Sequence, residues 1–341
     1  MSTFEHDLTK GNIWKQLVWF AVPFFISNLI QSLYSLIDLI ILGHFGGTNS
    51  ISAANIGGQV LVILTNLAAG LSGGGTVMLG NYLGSKRKDK INGAISTLLI
   101  TLTVMAAVFM VLLFILKQPL LRLLDTPEEA FSQAEQYLFI CTLGLLFIYG
   151  YNALSAIMRG LGDSRTPMIF VMIACVINII LDLVLVAGFH LGAGGAAVAT
   201  VFAQGCSMLF CIIYLKHHDF MFDFKPSSFH FIKEEFHTLF RTGLPLSIQM
   251  VGTNFSFLIL TTFINRAGGV AASAAAGIVN NFNGFAILPE AAISSAASAM
   301  IAQNMGKKDV KRSSKTLHCC LVRCIGVSLV VFTLMHIFPE Q

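Results

Sequence analysis

The chain has 341 residues, of which 55% are hydrophobic and 11% charged, with a mean hydropathy of +0.76. Soluble domains carry roughly 25% charged residues, so 21 Lys+Arg and 17 Asp+Glu cannot coat a globule built from such apolar sequence. This excludes a soluble enzyme, a disordered chain and a nucleic-acid binder with a basic face, and predicts an all-α protein that crosses a membrane many times. The seven cysteines all lie in apolar stretches without a secreted-framework spacing, which reads as helix packing. The first apolar run is too long for the core of a cleavable signal.

A spanning helix needs about 20 mostly apolar residues. Nine segments qualify: 17–42, 53–80, 91–116, 133–158, 166–189, 193–215, 239–264, 275–302 and 316–338. Gly46-Gly47, Lys117-Gln118-Pro119 and Pro226 mark the short connections between them. Taken in order, alternate connections collect the basic residues, from Lys10 and Lys15 through Lys86–Lys90 to Lys307–Lys315. Seventeen fall on that face, against Lys117, Arg122 and Arg266 on the other. Basic loops stay inside, which predicts a cytoplasmic N-terminus at the plasma membrane.

The sequence also repeats itself without a gap at an offset of 222. Pro23 falls on Pro245, Gly46-Gly47 on Gly268-Gly269, Ala53-Ala54 on Ala275-Ala276, Ile56 on Ile278, Gly84 on Gly306 and Lys86 on Lys308. Six helices per unit make the units parallel repeats, as in one class of secondary transporter. The expected organisation is an N-lobe of six transmembrane helices over 1–222, then a central linker and partial C-lobe of three helices over 223–341. On this count the chain stops after the ninth helix of an expected twelve.

Charge inside a span costs about 2.5–3.5 kcal/mol even on lenient scales, so it needs a reason. Asp38, Asp182 and Glu290 lie deep in spans, and no Lys or Arg lies within the first six to pair with the first two. Such an acid keeps a proton or holds a cation. Asn178 stands one helical turn before Asp182, and Gln31 and Tyr34 form a polar stripe leading to Asp38. Thr200 follows a Gly-rich start to the sixth helix. Carboxylate, carboxamide and hydroxyl oxygens suit a hard monovalent cation, Na⁺ or H⁺; the alternative is hydrogen-bonded packing. Glu290, beside Pro289, reads equally as cavity lining or as a protonated packing residue. Pro23 and Pro245 either let the first helix of each repeat bend or are tolerated in its first turns. Gly73-Gly74-Gly75 fits close helix packing and no phosphate loop. The central His217, His218, His230 and His237, with Asp219, Asp223, Glu234 and Glu235, lack ligand spacing and read as a solvated linker. No metal other than that Na⁺, and no cofactor, is expected.

Several blocks together resemble the multidrug and toxic compound extrusion (MATE) family. They are Tyr34-Ser-Leu-Ile-Asp38 with Gly43-His-Phe-Gly-Gly47, Asn152 to Arg159-Gly160-Leu-Gly162-Asp163, Asn178-Ile-Ile-Leu-Asp182, Gly192-Ala-Gly-Gly-Ala-Ala-Val-Ala-Thr200 and Gln303-Asn-Met-Gly-Lys307. The resemblance implies two helix bundles around a central cavity, exporting cationic or amphipathic compounds by antiport with H⁺ or Na⁺. It matches Asp38, Asn178, Asp182 and Thr200 to a cation site, and Gln31, Tyr34 and Asn152 to cavity-lining positions. The stretch Gln249–Asn254 lacks the seventh-helix acid of one branch, which favours coupling in the first lobe. The chain is expected to be a monomer in the lipid bilayer, with small organic substrates and no nucleic acid. Alternatives are another twelve-helix transporter, either a lipid-linked sugar flippase or a major-facilitator protein, or a fragment without activity. A flippase would line its cavity with Arg or Lys, which the first lobe lacks.

Overall fold

The computed structural model describes residues 6–218 and 220–337, and every regular element among them is helical. Helix α1 (Ile13–Ile41) starts where the Asn12 side chain accepts from the Lys15 N–H at 3.2 Å, filling one of the open donors of the first turn. It continues through a π-helical stretch, Leu42–Gly46, into α2 (Gly47–Gly84). Gly47 has φ 76°, a left-handed value that turns the chain and that other residues rarely adopt. Helix α3 (Lys88–Leu123) runs straight through Pro119, where a connection was expected. Helix α4 (Glu128–Gly160) opens with two acids facing its positive dipole end. The Asp163 side chain accepts from the Arg165 and Thr166 N–H groups at 2.9 and 3.1 Å and so starts α5 (Arg165–Asp182). A second π-helical stretch, Leu183–Gly188, precedes α6 (Gly192–His217), and α7 (Lys233–Ala286), α8 (Leu288–Gly306) and α9 (Val310–Ile337) follow.

The expected count of nine spans out of twelve is corrected here. Seven helical stretches of the described chain are long and apolar enough to cross a bilayer, the first being Ile13–Gly84, 72 residues that join two expected spans. The Gly46-Gly47 connection is absorbed into the helix because a π-turn keeps the backbone bonded where a loop would not. Helix α7 runs for 54 residues across the break expected between 264 and 275. No proline lies between Pro245 and Pro289, and the Ala-rich 271–276 favours helix. The expectation of an end after a ninth span is therefore not borne out. Side chains of residues 266, 268, 269, 275, 276 and 278 lie outside the described ones, as does Asp219.

The repeat register is visible in the helix ends. Lys86 and Lys308, 222 residues apart, have φ 58° and 63°. Arg87 N–H donates to Tyr82 O at 3.0 Å, and Asp309 N–H to Asn304 O at 2.9 Å. The two ends also cross one another. A methyl added at Gly84 would stand 1.9 Å from Gln303 O, and one at Gly306 would stand 2.1 Å from Asn81 O. Each contact is the other shifted by the repeat, so a pseudo-two-fold axis passes between α2 and α8. The triple glycine does pack closely: a methyl at Gly74 would meet the Gly243 backbone at 2.5 Å and one at Gly75 would meet Leu98 at 2.6 Å.

The main core joins α2, α3, α4 and α6 with Phe220 and Phe222 of the central linker. That linker is less solvated than expected. His217 and His218 are exposed, but Glu235 is buried, accepting from the Tyr82 hydroxyl at 2.6 Å and facing Lys90 at 3.7 Å. A second core packs the first half of α1 (Leu17, Phe20, Ala21, Phe24) on Ala292, Ala296 and Met300 of α8. Arginines cover the α1 aromatics: Arg323 over Trp14, Arg165 over Trp19 and Arg159 over Phe24, with centroid distances of 4.8, 5.2 and 4.7 Å.

An N-terminal strap crosses this basic end. His6 N–H donates to Leu161 O at 3.0 Å, and Leu8 N–H to Gln303 Oε1 at 3.0 Å. Gln303 is itself buried and donates to Gly160 O at 3.3 Å. Arg312 donates to Gly11 O at 2.9 Å and Gln16 Oε1 at 2.8 Å. The first six helices and α7–α8 are thus clamped together at the basic end, and about midway along α2 Ser247 Oγ donates to Leu67 O at 3.0 Å. Beyond Ser247, Ile248, Met250, Phe255 and Ile259 of α7 are exposed, so the two groups of helices part toward the other end.

Candidate functional site

The two unpaired acids of the sequence meet near that other end. Asp38 lies in the last turn of α1, about 37 Å along the helix from Ile13. Asp182 is the last residue of α5. Each therefore stands within one turn of a π-helical stretch, and the two stretches pack against each other. Ile41, Leu42, Val186 and Ala196 form a small apolar cluster there. A π-turn widens the helix and re-aims the side chains beside it, a local cost often found at functional sites.

Asp182 is fully buried and its carboxyl lies beside that of half-buried Asp38. Two carboxyl groups so placed can hold one proton between them. Oδ1 of each acid is buried without a hydrogen-bond partner in the described structure. Asn178 lies one turn back on α5, also buried. With its amide turned so that nitrogen faces Asp182, it donates to Oδ2 at 3.2 Å and accepts from the Thr200 N–H at 3.3 Å. The alternative orientation puts its nitrogen 3.4 Å from the Thr200 hydroxyl. The expected four residues, Asp38, Asn178, Asp182 and Thr200, therefore form one contiguous oxygen-rich site on α1, α5 and α6. Two orphaned carboxylate oxygens, a carboxamide and a hydroxyl form a donor set suited to a proton or a small hard cation. No group of three His, Cys, Asp or Glu that could hold a metal occurs among the described residues.

Tyr34 stands beside both acids, as its electrostatic contacts with them show. Sequence reasoning missed Tyr137 and Cys141 on α4, which touch each other and lie within electrostatic reach of Asp38. Only their one-turn spacing could have linked them, and an aromatic and a cysteine on an apolar helix look like core. The other expected residues are not brought to the acid pair. Gln31 is exposed on α1. Asn152 turns back to donate to Ile148 O at 2.8 Å. Glu290 lies at the start of α8 and accepts from the Ser328 hydroxyl of α9 at 2.5 Å.

A sequence profile of the MatE family matches residues 23–184 and 245–341. The probable multidrug resistance protein YpnP of Bacillus subtilis is 31% identical over 312 residues, covering 90% of this chain and 68% of that protein. YoeA of the same organism, also a probable multidrug resistance protein, is 27% identical over 340 residues, or 98% of this chain and 73% of that one. In fold, the outward-facing structure of a multidrug resistance MATE family transporter of the MOP superfamily superposes with a TM-score of 0.93 at 23% identity, covering 100% of this chain and 76% of that one. Both blocks of the profile fall on the helices described above, one across the acid pair and one across α7–α9. This multi-pass membrane protein belongs to the MatE family.

Proposed function

We propose that the protein is a secondary antiporter that exports cationic or amphipathic toxic compounds in exchange for inward H⁺ or Na⁺. The observation that carries this reading is the juxtaposition of half-buried Asp38 and fully buried Asp182, each with an enclosed carboxyl oxygen that has no partner. Membership of a transporter family, rather than an enzyme family, supports it, as do the printed names of the Bacillus relatives.

In this reading Asp38, Asn178, Asp182 and Thr200 take up the coupling ion, and Tyr34 lines the approach to it. Residues 1–222 act as the N-lobe and 223–341 as the linker and part of the C-lobe. The basic end, with the N-terminus, faces the cytoplasm of a plasma-membrane protein working as a monomer. The first half of α1 is fixed to α8, with the buried Pro23 near the end of that fixed part, and the second half carries Asp38 against α5. Proline removes one helix bond and eases bending there. A change of proton or cation at the pair acts on α1 only through its differential affinity for the two shapes.

The test is Asp38→Asn in drug-sensitive cells. Efflux is expected to be abolished while membrane insertion is unchanged, and unaltered efflux would remove the pair from the mechanism. Imposing Na⁺ and pH gradients separately on proteoliposomes decides which ion drives export.

A further inference from the structure

The coupling reading leaves unused a groove along the first half of α1. Two hollows follow one another on this seam, the first against α9 and the second against α8 with Arg323 of α9. The first, of about 630 Å³, lies at the basic end and is lined by Asn12, Trp14, Arg312, Lys315 and His318 among others. The second, of about 170 Å³, is lined by Leu17, Ala21, Phe25, Ala292 and Ile293, with Arg323 at its rim. They meet at one contact, where Arg323 lies over the Trp14 ring and donates to Trp14 O at 3.2 Å.

The chemistry of the two hollows differs in an ordered way. No carboxylate lines either one. Glu290, on the neighbouring α8, is turned to Ser328. Arg312 spends its terminal nitrogens on Gly11 O, Leu8 O and Gln16, yet its Nε is buried with no hydrogen-bond partner, and so is that of Arg323. Both Nε atoms are enclosed by protein, so the basic side chains open to a ligand in the wider hollow are Lys315 and His318. Trp14, 44% exposed, and Trp19, 67% exposed, suit the headgroup level of a bilayer. Basic pockets between transmembrane helices at that level take anionic lipid headgroups.

We propose that this seam binds one anionic phospholipid. Its phosphate lies in the wider hollow, facing Arg312, Lys315 and His318, and an acyl chain lies along Leu17, Ala21, Phe25, Ala292 and Ile293. A free phosphate would satisfy the basic hollow alone. The adjoining apolar hollow, in line with it along α1, is what assigns the ligand to a lipid.

The test uses the whole chain with Trp19→Phe, leaving Trp14 as the single tryptophan, in nanodiscs containing lipids brominated on the acyl chain. Brominated phosphatidylglycerol is expected to quench Trp14 fluorescence saturably and in preference to brominated phosphatidylcholine. Lys315→Glu with His318→Glu, both exposed side chains, should cut that preference at least about five-fold, the scale of one basic residue near a lipid surface. Lys315→Arg should keep the preference, and Lys216→Glu, which also turns a base into an acid at the same end, should leave it intact. Equal quenching by the two lipids, or an equal loss from Lys216→Glu, would overturn the site. Protection of the hollow by inorganic phosphate, with no preference among lipids, would overturn the lipid as its occupant.

Discussion

Asp182 is fully enclosed, and its polar neighbours are the carboxyl of Asp38 and the amide of Asn178. Asn178 is the donor that holds Oδ2 in place, so Asn178→Ala leaves a buried acceptor unpaired. Losses of that kind cost about 1–3 kcal/mol. The expected result is a thermal midpoint lowered by a few degrees and efflux reduced more than the drop in protein level explains. A midpoint equal to the wild type would show that Asn178 faces elsewhere. These residues were legible in the sequence because a carboxylate or amide amid apolar residues has no cheap explanation. Tyr137 and Cys141 were not, since packing alone distinguishes a site aromatic from a core one. Away from the pair, Gln31 is exposed, Asn152 bonds its own helix backbone and Glu290 accepts from a neighbouring hydroxyl.

At the scale of helices, the sequence marked where chain direction changes but not how. The Gly46-Gly47 pair was read as a loop and is instead the exit of a π-helical stretch, a distinction of one hydrogen-bond register that composition does not encode. The uninterrupted α7 was hidden because a glycine pair looks like a break, whereas the alanines after it keep the helix going. The repeat register, by contrast, was fully readable, and it places Gly84 and Gly306 at the crossing. A side chain at either position would run into backbone carbonyls, which cannot rotate away. Gly84→Ala and Gly306→Ala are each expected to cost about 1–3 kcal/mol, the range for overpacking. Each should also loosen the basic end. A cysteine placed at Ser85 should then react faster with a membrane-impermeant maleimide, and an unchanged rate in both variants would contradict the close crossing.

For the molecule as a whole, the strap connects what the helices leave separable. Within it the Asp7 carboxyl is pushed up by partial burial. That effect is outweighed by the Thr9 hydroxyl and N–H, which donate at 2.5 and 2.9 Å, and by the charges of Lys10 and Lys307, so the acid is held below the usual carboxylate range. A depressed carboxyl stabilises the strap above the ordinary value near pH 4, and the contribution is lost as pH falls through the folded value. Hydrogen exchange at the Leu8 and Thr9 amides should be insensitive to this group from about pH 5 upward and lose protection below about pH 4. Gln303→Ala should speed exchange at Leu8 at every pH, since it removes the acceptor of that amide. Slow exchange at Leu8 in this variant would mean that the strap is held elsewhere.

The same strap sets an order of assembly. Leu8 and its acceptor Gln303 are 295 residues apart in sequence, and Arg312, which grips the next carbonyls, comes later still. Leu8 and Gly11 therefore find these partners only after α8 and the start of α9 have been made. While α1 to α8 are being inserted, the N-terminal segment has no partner on the second half of the chain. Closure of the basic end on α8 and α9 is therefore a late step, reached when Arg312 arrives to grip the Leu8 and Gly11 carbonyls.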